Sequence, residues 1–271
     1  MNAVQGFMPD VQGRHDPRAL AIARVGVTNL RYPLVLEVSG KDQPTVGAWS
    51  VHVGLRAEQK GAHMSRLLTW LDGFTQGETA APVTHSSLMA AMPRLLEQLE
   101  TDSGGVEVQF PFFIRKAAPV SGLQSLLEYQ GGWQLAQAAG AAPELRMIAT
   151  VPVKSLCPCS KEVSDDGAHN QRSHIRLEAL LNAPMQWTEL VRFAEDHASS
   201  ELWGLLKRSD EKWVTERAYA NPKFVEDLVR DVALALEADD RIDAYAVDVT
   251  NFESIHAHDV HARVASDKRA T

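Results

Sequence analysis

The chain reads as an α+β protein in which antiparallel strands carry helices on one face, and three observations predict that class. Apolar residues alternate at period two in several separate runs, while other runs switch to a wide apolar face at helical period. The order is strand, strand, helix, helix, strand, strand, and it then begins again. Helices placed over antiparallel strands must cover one sheet face, which leaves sheet edges open to another half or another subunit.

Residues 1–30 are polar and broken by Pro9, Gly13 and Pro17, so they are expected to form an arm, either loose or packed on a neighbouring subunit. From Tyr32 to Val38 the side chains of Leu34, Leu36 and Val38 share one face of a strand. A second strand from Thr45 to Leu55 follows the turn Gly40-Lys41-Asp42-Gln43, giving a hairpin. Residues 63–74 change period, with Met64, Leu67, Leu68 and Leu71 on one helical face. This helix begins just after Lys60 and Gly61, so His63, Ser65 and Arg66 stand near an amino terminus whose free amides favour an anion.

A second helix is expected from Ser86 to about Glu100, with Leu88, Met92, Leu95, Leu96 and Leu99 inward and Pro93 interrupting its middle. Val106, Val108, Phe110, Phe112 and Ile114 return to period two, and further strands are expected near 122–130 and 135–153. Ile175, Leu177 and Ala179 then alternate, and residues 187–206 look helical. The best helix spans 221–240, with Asn221 as cap, Pro222 as first residue, and Phe224, Leu228, Val232 and Leu236 recurring every four positions. Two last strands meet at a turn near Asn251. The recurrence divides the chain into an arm (1–30), a first module (31–156), and an active-site loop with a second module (157–271).

With 45% hydrophobic and 23% charged residues, the composition is that of a soluble globular protein. A net charge of -8 argues against a protein that grips nucleic acid, although a local Arg and Lys cluster can still hold a phosphorylated small molecule. The opening segment contains Asp10, Arg14, Asp16 and Arg18 and no continuous apolar run, so neither a signal peptide nor a membrane span is expected. Two cysteines in one CxC cannot build a distributed disulfide framework and fit a metal or redox role in a reducing, cytoplasmic compartment.

Chemistry concentrates in residues 151–174, which contain both cysteines, Cys157 and Cys159, with His169 twelve positions after Cys157. A thiol and an imidazole joined by such a loop can meet at a borderline-soft divalent metal such as zinc. His256 and His258, two apart in the segment 255–261, would share one face of a strand, and one of them could join that metal. Glu211 and Glu216 are carboxylate candidates between which spacing does not choose. Cys159 stays open as ligand, redox partner or nucleophile. Lys154, Lys161, Arg66 and Arg172 could balance phosphate charge.

These residues also carry a resemblance. The stretch SLCPCSKEVSDDGAHNQRS at 155–173, with KGAHMSR at 60–66 and DEKWVTERAYANPKFVED at 210–227, resembles the type IB GTP cyclohydrolase I family, the alternative folate-pathway enzyme. It covers nearly the whole chain, from MPDVQ at 8–12 to the histidine-rich end. The resemblance implies a tunnelling fold, in which two tandem modules each have an antiparallel sheet and a helix pair, and a homotetramer. It implies a divalent metal, Zn2+ or Mn2+, at positions matching Cys157, His169, Glu211 and His256. It also implies conversion of GTP and water to 7,8-dihydroneopterin triphosphate and formate. Catalytic work falls on Cys157, Cys159 and His169, and substrate binding on Glu226, Arg66, His63, Lys154 and Arg172, with Glu226 anchoring the guanine edge.

Overall fold

The computed structural model describes residues 9–77 and 81–270. Its eight strands form one antiparallel sheet in chain order: β1 (Ile22–Val38), β2 (Lys41–Leu55), β3 (Gly104–Ala117), β4 (Gln124–Gln137), β5 (Glu144–Leu156), β6 (Asn170–Leu181), β7 (Ile242–Asn251) and β8 (Val260–Asp267). The helices are α1 (Met64–Gln76), α2 (His85–Gln98), α3 (Pro158–Val163), α4 (Trp187–Glu195), α5 (Arg208–Ala220) and α6 (Val225–Glu237). The α+β expectation holds. Inward residues of the strands, such as Leu34, Val106, Met147 and Val247, join Leu67, Leu88, Leu190 and Val232 of the helices in one buried cluster. The opposite sheet face is polar, with Arg24 paired to Glu107 and Arg263 to Asp248.

Several boundaries differ from the sequence reading. Residues 22–30 are the first half of β1, not an arm. Residues 12–16 pair along the same chain, since Gly61, Lys60 and Asp16 donate their amides to Gln12, Arg14 and Glu58. The expectation for 1–8 lies outside the described residues. The first hairpin turns at Ser39 and Gly40, whose φ values of 54° and 69° suit the twist of a two-residue hairpin, so Lys41 to Gln43 are already paired. β4 runs straight through Gly131 and Gly132, where the sequence suggested a break. A Cβ on Gly131 would stand 2.6 Å from the Phe110 ring, so this glycine makes room for core aromatics.

The helix expected over 187–206 ends at Glu195. An irregular segment follows, and α5, which the sequence reading did not assign, begins at Arg208. Its apolar face is narrow: Val214 and Ala218 are its buried apolar residues. Asn221 caps the end of α5, not the start of the next helix. α6 starts after Phe224, whose amide donates to the Asp227 side chain. His256 and His258 lie in the loop between β7 and β8, so they do not share a strand face.

The sheet forks between β4 and β5. Their pairing runs from Ala136 opposite Glu144 to Gln130 opposite Thr150, whereas β3 and β4 continue together to Ala117 opposite Gln124. Past Thr150, β5 keeps β6 on one side, and on the other it takes Ser200, which exchanges backbone hydrogen bonds with Lys154 at 2.9 and 3.2 Å. The segment after α4 thus fills the fork, which is why it cannot remain helical. Its backbone groups are needed by β5.

Candidate active site

Cys157 follows the last residue of β5 and stands at the start of α3, with Pro158 as a first helical residue that has no amide to satisfy. His169 precedes β6. Because β5 and β6 are register partners down to Leu156 opposite Asn170, the chain ends beyond them must meet: the Cys157 amide donates to the His169 carbonyl at 3.2 Å. Ser160 ties the loop from both sides. Its amide donates to Cys157 Sγ at 3.4 Å, and its hydroxyl accepts from the His169 amide at 3.0 Å.

The His169 ring is held by two residues that the sequence reading did not single out. Its Nδ1 lies 3.1 Å from Gln171 Oε1, and Gln171 Nε2 donates to Glu253 Oε1 at 3.2 Å; the second Glu253 oxygen is 3.9 Å from the imidazole. A carboxylate can only accept, so the amide nitrogen must face it and the amide oxygen must face the ring. In the neutral imidazole this network places the proton on Nδ1 and the lone pair on Nε2. Glu253 is partly buried, its side chain 8% exposed, two positions after the end of β7. A partly buried acid in a segment that reads as a turn has no local signature, so nothing in the sequence marks it.

Lys154 and Arg172 stand opposite each other across β5 and β6, each three residues from its member of the pair. Burial pushes the Lys154 ammonium below its ordinary value. Glu226 is exposed in the first turn of α6, and the Lys223 amide ties the start of that helix to the Leu156 carbonyl at 3.1 Å. Lys161 reaches the Tyr219 carbonyl at 2.6 Å, docking α3 on the end of α5.

Other candidates stand apart. Glu211 is exposed in the first turn of α5, and His256 is exposed in the 252–259 loop, where it stacks on His258 at 5.3 Å. His63 and Arg66 line a cavity of about 290 Å³ beside the end of β2, where they face Asp10 and Glu100. The end of β2 is level, through β3 and β4, with the start of β5 at Glu144, whereas Cys157 follows the other end of β5, about 40 Å along the strand. Cys159 is exposed and free. Among the described residues, no set of three or more His, Cys, Asp or Glu side chains is close enough to hold a metal. Cys157 and His169 fit the chemistry of a divalent cation, a thiol and an imidazole on residues joined by a main-chain hydrogen bond, whereas Glu211 and His256 are not brought to them within this chain.

The family described as type I GTP cyclohydrolase FolE2 matches residues 8–262. The chain belongs to the FolE2 family. A GTP cyclohydrolase FolE2 of Methylibium petroleiphilum is 50% identical over 282 residues, covering 94% of each chain. One of Burkholderia multivorans is 53% identical over 263 residues, covering 97% of this chain and 96% of its own. Among solved structures, a hyper-thermostable AgUricase mutant superposes with a TM-score of 0.52 at 10% identity, over 93% of this chain and 94% of its own. That likeness shows a shared fold alone. In this FolE2 family member, no helix among the described residues is long and apolar enough to cross a membrane.

Proposed function

We propose that this chain is a GTP cyclohydrolase that converts GTP and water to 7,8-dihydroneopterin triphosphate and formate. The observation that carries the reading is identity of 50–53% to FolE2 enzymes over nearly the full length, with Cys157 and His169 side by side at a strand-pair end. Cys157 and His169 would hold a divalent metal, zinc or manganese, and Glu211 and His256, exposed and not brought to the pair by this chain alone, would complete the set on assembly with neighbouring subunits. When bound, such a cation supplies Lewis acidity that makes water nucleophilic near neutral pH.

The chain's own groups place the substrate. The Glu226 carboxylate accepts from the N–H edge of guanine and fixes the base. Lys154 and Arg172 pair with triphosphate oxygens, and His63 and Arg66 add charge from the first half of a chain, so that the nucleotide stays anchored while the ribose opens and the second ring closes. Cys159 moves a proton at guanine N7, which makes C8 more electrophilic.

We further propose two tandem modules of the tunnelling fold and a homotetramer in the cytoplasm. Open edges at β1 and β8 and a polar uncovered sheet face support the assembly, and two free thiols support the compartment. Because β5 pairs with β6 over eleven residue pairs, the module boundary fits better in the loop between β4 and β5 than at 156–157.

The test incubates metal-depleted protein with GTP, adds zinc or manganese separately, and measures formate and oxidised pterin by mass spectrometry. Equimolar, metal-dependent formate and neopterin-type product is expected. Formate without pterin would indicate a reaction that stops after ring opening, and bound GTP with neither product would overturn the enzymatic reading.

A further inference from the structure

We propose that Lys116 is a positioning residue for Cys157, acting through a buried ion cluster that holds the segment closing the fork of the sheet. The inference rests on the proposed role of Cys157.

Lys116 lies near the end of β3, on the prong that has left β5. Its Nζ is 2.7 Å from Glu195 Oε1 and 2.6 Å from Glu201 Oε2, and the Tyr129 hydroxyl donates to the same Glu195 oxygen at 2.6 Å. Lys116 is 9% exposed and Glu195 3%. The Trp203 indole covers the ammonium at 4.9 Å and donates to the Ala117 carbonyl at 2.9 Å. Burial pushes the Glu195 carboxyl up, while the Lys116 charge and hydrogen bonds from Lys116 and Tyr129 pull it down.

One ammonium facing two carboxylates in a largely buried place is a poor source of stability, since well-packed apolar side chains of similar volume do as well or better. What it fixes is position. Glu195 and Glu201 bracket residues 196–200, so gripping both pins that turn at its two ends. Ala198, Ser199 and Ser200 are fully buried. Ser199 Oγ accepts the Leu156 amide at 3.3 Å, Ser200 pairs with Lys154, and the Ala198 carbonyl accepts from Asn221 Nδ2 at 2.9 Å. Leu156 is bonded directly to Cys157. The path from Lys116 to the thiol thus has three links: ion cluster, turn, strand end. β4 has already peeled away at this level, so the turn takes its place beside β5.

Lys116→Met alone would leave the buried Glu195 and the partly buried Glu201 carboxylates uncompensated, so the main variant combines it with Glu195→Gln and Glu201→Gln. Glu201→Leu is the second variant, because it leaves the neutral Lys116–Glu195 pair and keeps the fold; Lys116→Arg is the conservative companion. Two measurements are made on each full-length protein. One is hydrogen exchange of the peptide containing 154–157 relative to that containing α2. The other is Co(II) titration followed by thiolate-to-cobalt charge-transfer absorption. Exchange at 154–157 should quicken by at least about tenfold relative to α2, and Co(II) affinity should fall by at least about tenfold, with Lys116→Arg restoring most of both. Exchange that quickens no more at 154–157 than in α2, in a folded variant, overturns the proposal. If the wild-type protein shows no charge-transfer band, the metal role of Cys157 fails by itself, and the exchange result still decides whether Lys116 holds the strand end.

Discussion

The amide of Cys157 donates to the carbonyl of His169 over 3.2 Å, so the main chain, independently of either side chain, sets these two groups in register. Cys157→Ser and His169→Asn should therefore keep the fold, with stability changes within about 0.5 kcal/mol. Metal occupancy and turnover should fall by more than about a hundredfold, beyond what loss of an outer partner produces. Thermal unfolding beside metal analysis and formate release checks this. A Cys157→Ser protein with full occupancy and turnover would remove Cys157 from the ligand set.

Glu253 acts on His169 through Gln171. Gln171→Leu or Glu253→Gln should free the ring to flip or change tautomer and lower metal affinity by about 10–100-fold. Competition titration against a chelating dye reads this directly. Unchanged affinity in both variants would make the network a loop contact and nothing more.

Glu226 is exposed and bonded to no core element, so Glu226→Gln should leave unfolding unaltered. Its cost should appear in GTP binding, because an amide presents one acceptor and one donor to a two-donor guanine edge. Isothermal titration with GTP should show affinity weakened by at least about tenfold, and an unchanged value would end the anchoring role.

Asp210 accepts from the Val120 and Ser121 amides at 2.8 Å each and from the Ser121 hydroxyl at 2.7 Å, tying the β3–β4 turn to the start of α5. Burial works against its charge, but the donors from Ser121, Lys207 and Val120 outweigh it and hold the carboxyl well below the usual range. A depressed acid stabilises the fold fully above its unfolded value of 3.8 and loses that contribution as pH falls through the lower folded value. Asp210→Asn should be less stable at neutral pH and should show a smaller loss on acidification below about pH 4. Urea midpoints across that range test both signs.

His85 is shifted the other way by the same physics. Burial lowers its imidazole below 6.5, partly opposed by its hydrogen bond to the Leu181 backbone, so the folded state prefers the neutral ring. The unfolded chain takes up that proton first on acidification, and stability is lost as pH drops below 6.5. His52 and His174, also lowered mainly by burial, add to this slope. His85→Phe should flatten the fall of melting temperature between pH 7.5 and 5.5. An unaltered slope would assign the acid sensitivity elsewhere.

The misread elements share a cause. The sequence reading broke β4 at Gly131 and Gly132 because glycines punctuate chains, but here the glycine serves an aromatic ring from β3. The run 187–206 reads as helix by local pattern, yet its second half is taken by the fork beside β5, a demand from residues more than forty positions earlier. α5 escaped notice because two apolar residues do not make a periodic face, and its buried anchor is the polar Asp210.

By itself the sequence determined the α+β class, the hydrophobic faces of strands and helices, and the Cys157 and His169 pair, because periodicity and a short loop are local properties of the chain. Tertiary structure alone decided that Gln171 and Glu253, 82 positions apart, orient His169, and that Lys116 reaches across the fork to Glu195 and Glu201. Such groups have no local pattern: a buried acid or lysine is distinguished from a solvated one by what long-range folding packs against it.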